Sequence, residues 1–316
     1  MRLLTFATLL SLSVNCNLPE IERGTYDFSL EQVNGDNQDQ LIANEESEPF
    51  VIKVTQGGIP AKGVKVRFEV VEGAATIGGA EYQEVISDED GLTSQSVLMG
   101  AEFFTNVVVE VTVNNLLGSS EDTLFFVASS DRFRDERDSQ VYEVVQVEEK
   151  MWMKSNLNYA GSGVCYDNLT SNCDQYGRLY TWSEVTQKSI NDVFTEPIRG
   201  ICPLGWRLPS NTDFEGLITL YGLYNLMCCP ELWESSFLNE NLINNASGFS
   251  IKPSGIFYSS GAGQFQGEKL VAFFWTSSKY NQFAYRYLLG TDDGLYHGVN
   301  LLEFIDDKYS CRCIKE

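Results

Sequence analysis

Seven of the eight cysteines in this 316-residue chain, at 165, 173, 202, 228, 229, 311 and 313, lie beyond residue 160, and the eighth is Cys16. This distribution constrains the fold more than any other feature. Disulfides persist in oxidising compartments and decide which distant segments lie together, so the part without cysteines must build its core from apolar pattern alone. Charge divides the chain in a similar place: residues 17–128 hold 20 acids and 5 bases, a net of −15, while residues 129–316 hold 24 and 16, a net of −8. A length of roughly 100 to 200 residues per domain points to two domains.

The overall charge of −22 excludes a nucleic-acid binder, which gathers Lys and Arg against phosphate. The N-terminus "MRLLTFATLLSLSVNC" places one base, then a mostly apolar run too short to span a bilayer, ahead of Cys16. That order predicts a signal sequence over 1–16 with Cys16 as the acylated residue, so that membrane contact runs through the lipid alone. Ser13 and Asn15 stand where a lipobox usually has Leu and a small residue, and plain secretion is the alternative. Acylation of Cys16 leaves seven cysteines, one of them unpaired; without it all eight can pair.

In the first part, "GVKVRFEVVEG" alternates Val64, Val66, Phe68 and Val70 with Lys65, Arg67 and Glu69, and "NVVVEVTVNN" repeats the pattern with Val107, Val109, Val111 and Val113. A period of two marks strands with one buried face. Further short strands at "FVIKV", "YQEVI", "SQSVL" and "DTLFFVA", separated by Gly- and Asp-rich turns, predict an all-β sandwich. The order "EQVNGDNQ", "PFVIKVTQGGIPAKGVKVRFEV", "SDEDGLTSQSVLMG" resembles bacterial immunoglobulin-like repeats of the invasin and intimin type, over residues 25–128. That resemblance implies a spacer or stalk segment. "SDEDG" at 87–91 is expected to be a hairpin turn with Asp90 and Gly91 at its tip rather than a calcium loop. The charged stretch "SSDRFRDERDSQ", 129–140, is expected to be a solvated linker.

The second part, 141–316, has a different texture. Ser210 with Asp213 three residues on forms a capping-box-like start, and Phe214, Leu217, Ile218 and Tyr221 follow at helical spacing, so a helix is expected to begin at the end of "CPLGWRLPS". Pro203 and Pro209 fix the entering backbone, Trp206 is expected to anchor the segment in a core, and Arg207 to pair with a carboxylate or backbone carbonyls.

With "MWMKSNLNY", "CYDNLTSNCDQYGRLYTWSEV", "GFSIKPSGIFY", "FFWTSS", "AYRYLL" and "CRCIKE" in the same order, that segment resembles the Fibrobacter succinogenes major paralogous domain, a family of secreted and lipid-anchored bacterial domains. A related "RLP" element in formylglycine-generating sulfatase-activating proteins implies a C-type-lectin-like fold. The fold class expected is therefore multi-domain: an all-β immunoglobulin-like sandwich followed by an α+β C-type-lectin-like domain with disulfides. The resemblance implies pairing of Cys165 with Cys173 and of Cys202 with Cys313. Cys228, Cys229 and Cys311 depart from the family pattern; Cys311 is expected to bond Cys228 or Cys229, with an exchange between Cys311 and Cys313 as the alternative.

One histidine, His297 in a loop "GLYHGVN", and the absence of GxSxG, HExxH and phosphate-cradling glycine loops argue against an enzyme. No cofactor or metal is expected; an enzyme of the formylglycine-generating type is the weakest reading. The loops around 258–269 and 277–286 offer aromatic residues among amides, Tyr258, Gln264, Phe265, Tyr280, Asn281, Gln282 and Arg286, which suit a sugar face or a protein partner. The expectation is a non-enzymatic, lipid-anchored protein of the outer membrane and cell surface, acting as a binding or accessory subunit of an outer-membrane protein assembly. A glycan-binding or host-surface adhesin is the alternative.

Overall fold

The computed structural model describes residues 27–114, 120–234, 239–260, 262–280, 283–289, 297–302 and 306–315, and is mostly β. Cys16 lies outside the described residues. In the N-terminal part, Phe50–Gln56 pairs antiparallel with Phe28–Asn34 on one side and Leu92–Gln95 on the other. The facing sheet runs Tyr82–Ile86, Lys65–Glu72, Val107–Asn114 and Ser120–Arg134, each antiparallel to the next. Val66, Phe68, Val107, Val109, Val111, Val113 and Phe126 point inward against Phe50, Ile52 and Val54, and all are buried. The valine alternation thus builds one apolar interior, and the charged residues between them face out. A turn forms at 88–91 where one was expected, with the Asp88 carboxylate accepting the N–H groups of Asp90 and Leu92 at 2.9 and 2.8 Å, but it joins strands of the two facing sheets and is not a hairpin.

The stretch expected to be a linker is instead half strand. Ser120–Arg134 continues through residue 134, and its end pairs with Val141–Val147, which pairs with Lys150–Met153, which pairs with Ile314–Lys315. One hydrogen-bonded ladder therefore runs from the sandwich into the C-terminal part. Phe133 and Asp135 are buried within the supposed linker, because its charges find partners only in the folded chain: Arg134 pairs with Glu45 at 2.5 Å and Arg137 with Asp135 at 2.6 Å.

The C-terminal part holds two apolar cores. Its sheet centres on Ala272–Tyr280, flanked by Phe283–Leu289 antiparallel and by Ser254–Tyr258 and Tyr309–Ser310 parallel. Helix Asn211–Tyr221 starts at Ser210 with a complete capping box: Ser210 Oγ accepts from Asp213 N–H at 3.2 Å and the Asp213 carboxylate accepts from Ser210 N–H at 2.8 Å. Phe214 and Leu217 are buried, with Ile218 and Tyr221 packed alongside. Among the described residues no helix is long and apolar enough to cross a membrane.

Disulfides join Cys165 to Cys173 and Cys202 to Cys313, the two pairs the family resemblance implied. The expected third bond is corrected: Cys311 is not joined to Cys228 or Cys229, and all three are free thiols. The Cys311 sulfur lies instead beside the closed bond, within 4.8 Å of those of Cys202 and Cys313.

Candidate binding cleft at the junction

The signature segment 202–210 is fixed from both sides. Arg207 Nη1 donates to Asp213 Oδ2 at 2.9 Å and to the Leu208 carbonyl at 3.0 Å, and Lys150 Nζ meets Asp213 Oδ1 at 2.5 Å. Burial by itself raises the pKa of the Asp213 carboxyl, but the hydrogen bonds from Arg207, Lys150 and Ser210 outweigh it and hold the group well below the usual carboxylate range. Arg207 thus serves the fold in both ways the sequence suggested. Its backbone also bridges to Ile314, beside the Cys202–Cys313 link.

Trp206 is buried as expected, but against residues from the preceding strand. Its ring stacks on Phe133 at 4.5 Å and lies 6.2 Å from Phe103, while Phe133 stacks on Tyr142 at 5.5 Å. Above this aromatic floor opens a cleft of about 550 Å³, walled by Glu45, Phe103, Arg199, Leu204 and Lys315. Pro203 and Gly205, the latter at φ 81°, turn the chain so sharply that Leu204 between them points outward, 87% exposed at the rim. Lys315 Nζ sits 4.9 Å over the Phe103 ring, and Arg137 is tied to the Ile201 carbonyl at 2.7 Å. A hollow of about 640 Å³ at the end of the sandwich is larger and is lined by Lys62, Lys65, Arg67 and Glu84, with Lys65 paired to Glu84 at 3.0 Å. The junction cleft differs in its aromatic floor, with Phe103, Phe133 and Trp206 among its lining residues.

The residues first suggested for binding are only partly assembled. Tyr258 and Gln264 face each other across the hairpin of Ser254–Tyr258 with Gln264–Glu268. Gln264 is exposed, but Tyr258 packs against the core and the Phe265 ring meets Phe257 edge-on at 4.9 Å and Tyr166 at a tilt at 5.1 Å, so both aromatics hold the hairpin down. Tyr280 ends a strand and Arg286 lies within the next, opposite Trp275; Asn281 and Gln282 lie outside the described residues. His297 starts a strand rather than sitting in a loop.

Other reactive groups are held in structural pairs. Asp307 is buried and accepts from Ser259 N–H and Oγ and from the Tyr309 hydroxyl. Glu184 accepts from Thr181 and pairs with Lys308 at 3.1 Å. Arg312, between two cysteines, is fully buried; its guanidinium donates to Asn156 Oδ1 and to the Phe249 and Ser250 carbonyls and lies 4.4 Å over the Phe249 ring. Burial lowers its pKa to about 9, which leaves it cationic at neutral pH. Sequence reasoning had no signal for this site beyond the spacing of "CRC".

The profile of the Fibrobacter succinogenes major domain matches residues 145–315. The chain belongs to that family. The matched domain begins within the second strand of the junction ladder and ends within the last, and Lys150–Met153 lies between those two strands and pairs with both. No curated protein matches the chain. Among solved structures, the Yersinia pseudotuberculosis adhesin InvE aligns with 91% of this chain and 70% of its own at 12% identity and a TM-score of 0.29. A conjugate transposon protein of Bacteroides vulgatus aligns with 36% of this chain and 91% of its own, at 11% identity and a TM-score of 0.24. A PapD-like domain of human CEP192 aligns with 41% and 97%, at 9% identity and 0.21. TM-scores this low carry no argument about fold or function.

Proposed function

We propose that this protein is a non-enzymatic, surface-exposed lipoprotein that acts as a binding or accessory subunit of an outer-membrane protein assembly and docks its partner on the junction cleft. The observation that carries this reading is Leu204, a large apolar side chain held 87% exposed on the rim of an aromatic-floored cleft. An apolar anchor ringed by Arg199, Lys315 and Glu45 has the make-up of a protein interface centre with a polar rim. The pairing of Asp213, Asp307 and Glu184 within the fold supports a binding rather than a catalytic role. In this reading the sandwich is an immunoglobulin-like spacer and the family domain a C-type-lectin-like head; the pairing of the last strand with Lys150–Met153, near the start of the domain, supports the latter.

A second reading, a glycan-binding adhesin, rests on the exposed amides Gln264 and Gln266 beside Tyr258 on the hairpin. The two separate by substitution in the full chain. Under the first, Leu204→Asp abolishes retention of a membrane partner and leaves polysaccharide binding untouched. Loss of polysaccharide binding in Gln264→Ala, with partner retention unaffected by Leu204→Asp, overturns the first and favours the second.

A further inference from the structure

The second core ends at an unusual turn. Helix Leu223–Leu226 is followed by Cys228, Cys229 and Pro230. Along extended backbone, successive side chains point to opposite faces. Cys229, however, adopts φ 58° and ψ 65°, a left-handed conformation that few non-glycine residues take, and this folds its side chain back over its neighbour. The Cys229 and Cys228 sulfurs lie 2.9 Å apart. The turn is held from three sides: Cys228 N–H donates to the Ile251 carbonyl at 3.1 Å, Trp233 Nε1–H donates to the Cys228 carbonyl at 3.1 Å, and Leu232 N–H donates to the Cys229 carbonyl at 2.8 Å. Pro230 fixes the chain that follows.

We propose that Cys228 and Cys229 form a redox site, a vicinal dithiol that a small organic disulfide oxidises to a disulfide bridging adjacent residues. Access orders the steps, because Cys228 is buried and Cys229 half-buried. The Cys229 thiol loses its proton and attacks one sulfur of the small disulfide, forming a mixed disulfide and releasing one small thiol. The Cys228 sulfur then attacks Cys229, closing the ring and releasing the second small thiol with the proton from Cys228. The dithiol loses two electrons and the small disulfide gains them. Burial pushes the Cys228 thiol up to about 12, so it is protonated in the resting protein and the exchange begins at Cys229.

Adjacent Cα atoms stand about 3.8 Å apart, shorter than the roughly 4.4–6.8 Å that disulfides usually span, so this bond is strained and easily reduced. It therefore reports the redox poise of the compartment, while Cys165–Cys173 and Cys202–Cys313 stay closed as structural links. In the oxidised form, six of the seven cysteines beyond residue 160 are paired and Cys311 alone, fully buried, remains a thiol.

The test uses the full chain, incubated with or without glutathione disulfide, then alkylated in denaturant and mapped by peptide mass. The expected result is alkylation of Cys228, Cys229 and Cys311 before oxidation and of Cys311 alone among them afterwards. The peptide bearing 228 and 229 becomes lighter by two hydrogens. Mild reductant then reopens this bond and leaves Cys165–Cys173 and Cys202–Cys313 intact, and Cys229→Ser keeps Cys228 alkylatable throughout. Three results overturn the proposal in the unaltered chain: both thiols still alkylated after oxidation, a glutathione adduct persisting on Cys229, or Cys228 joined to Cys311.

Discussion

The Trp206 ring lies 4.5 Å from the Phe133 ring at an interplanar angle of 23°, joining the family's signature segment to the strand that leaves the sandwich. Both side chains are buried, and the stack sits where the hydrogen-bonded ladder crosses from one part to the other. Phe133→Ala is expected to destabilise the protein by about 3 kcal/mol, as large-to-small core changes do. It should also loosen the junction. Urea unfolding followed by tryptophan fluorescence measures the first effect, and faster proteolysis within 135–140 the second; unchanged cleavage with unchanged stability contradicts a structural role for the stack.

Asp213 gives the protein an acid-sensitive element. Because its folded pKa is depressed, its contribution to stability is fully present above the ordinary carboxylate pKa of about 4 and declines as pH falls below it. Asp213→Asn is expected to cost about 3 kcal/mol at neutral pH, since it leaves Arg207 without its buried partner, and to flatten the acid limb of the stability curve. Thermal melts of both proteins from pH 7 down to pH 3 check this; parallel curves are the contrary outcome.

Sequence showed the parts of the fold that are local in origin. The inward valines of 107–113 and the Ser210–Asp213 helix start need only a period and a three-residue spacing. Phe133 was hidden because Asp131, Arg132, Arg134 and Asp135 surround it with charge, and that charge is neutralised by Glu143, Glu45 and Arg137, two of them distant in sequence or on another strand. Composition within a short window cannot show such partners. Leu204 was missed for the opposite reason: it reads as one more apolar residue, and only Pro203 and Gly205 on either side signalled that it turns outward. Tyr258 and Phe265 read as loop residues, whereas they belong to paired strands, and the aromatic neighbours that absorb Phe265, Phe257 and Tyr166, come from different segments.

The two disulfides should differ in worth. Cys202–Cys313 spans 111 residues and Cys165–Cys173 only 8. Chain-entropy arguments give about 4 to 5 kcal/mol for the long loop and about 2.5 kcal/mol for the short one. Paired Ala substitutions, compared by urea midpoint and slope, should reproduce that order. A larger loss from the short link would contradict it.

Cys311 stands ready to replace Cys313. With the three sulfurs within 4.8 Å of one another, Cys313→Ser is expected to yield a Cys202–Cys311 disulfide and to lose less stability than Cys202→Ser, which leaves no cysteine on the signature segment to close the long loop. Peptide mapping of the purified variant decides; Cys202 found as an alkylatable thiol sinks the prediction.

The central claim is that this chain works as a subunit. The most direct test is mild-detergent purification of a C-terminally tagged form from its native membrane, with everything retained in stoichiometric amount identified by mass spectrometry. The account predicts an integral outer-membrane protein at a one-to-one ratio, lost in Leu204→Asp. A solitary protein, recovered from the membrane with no partner, would contradict it.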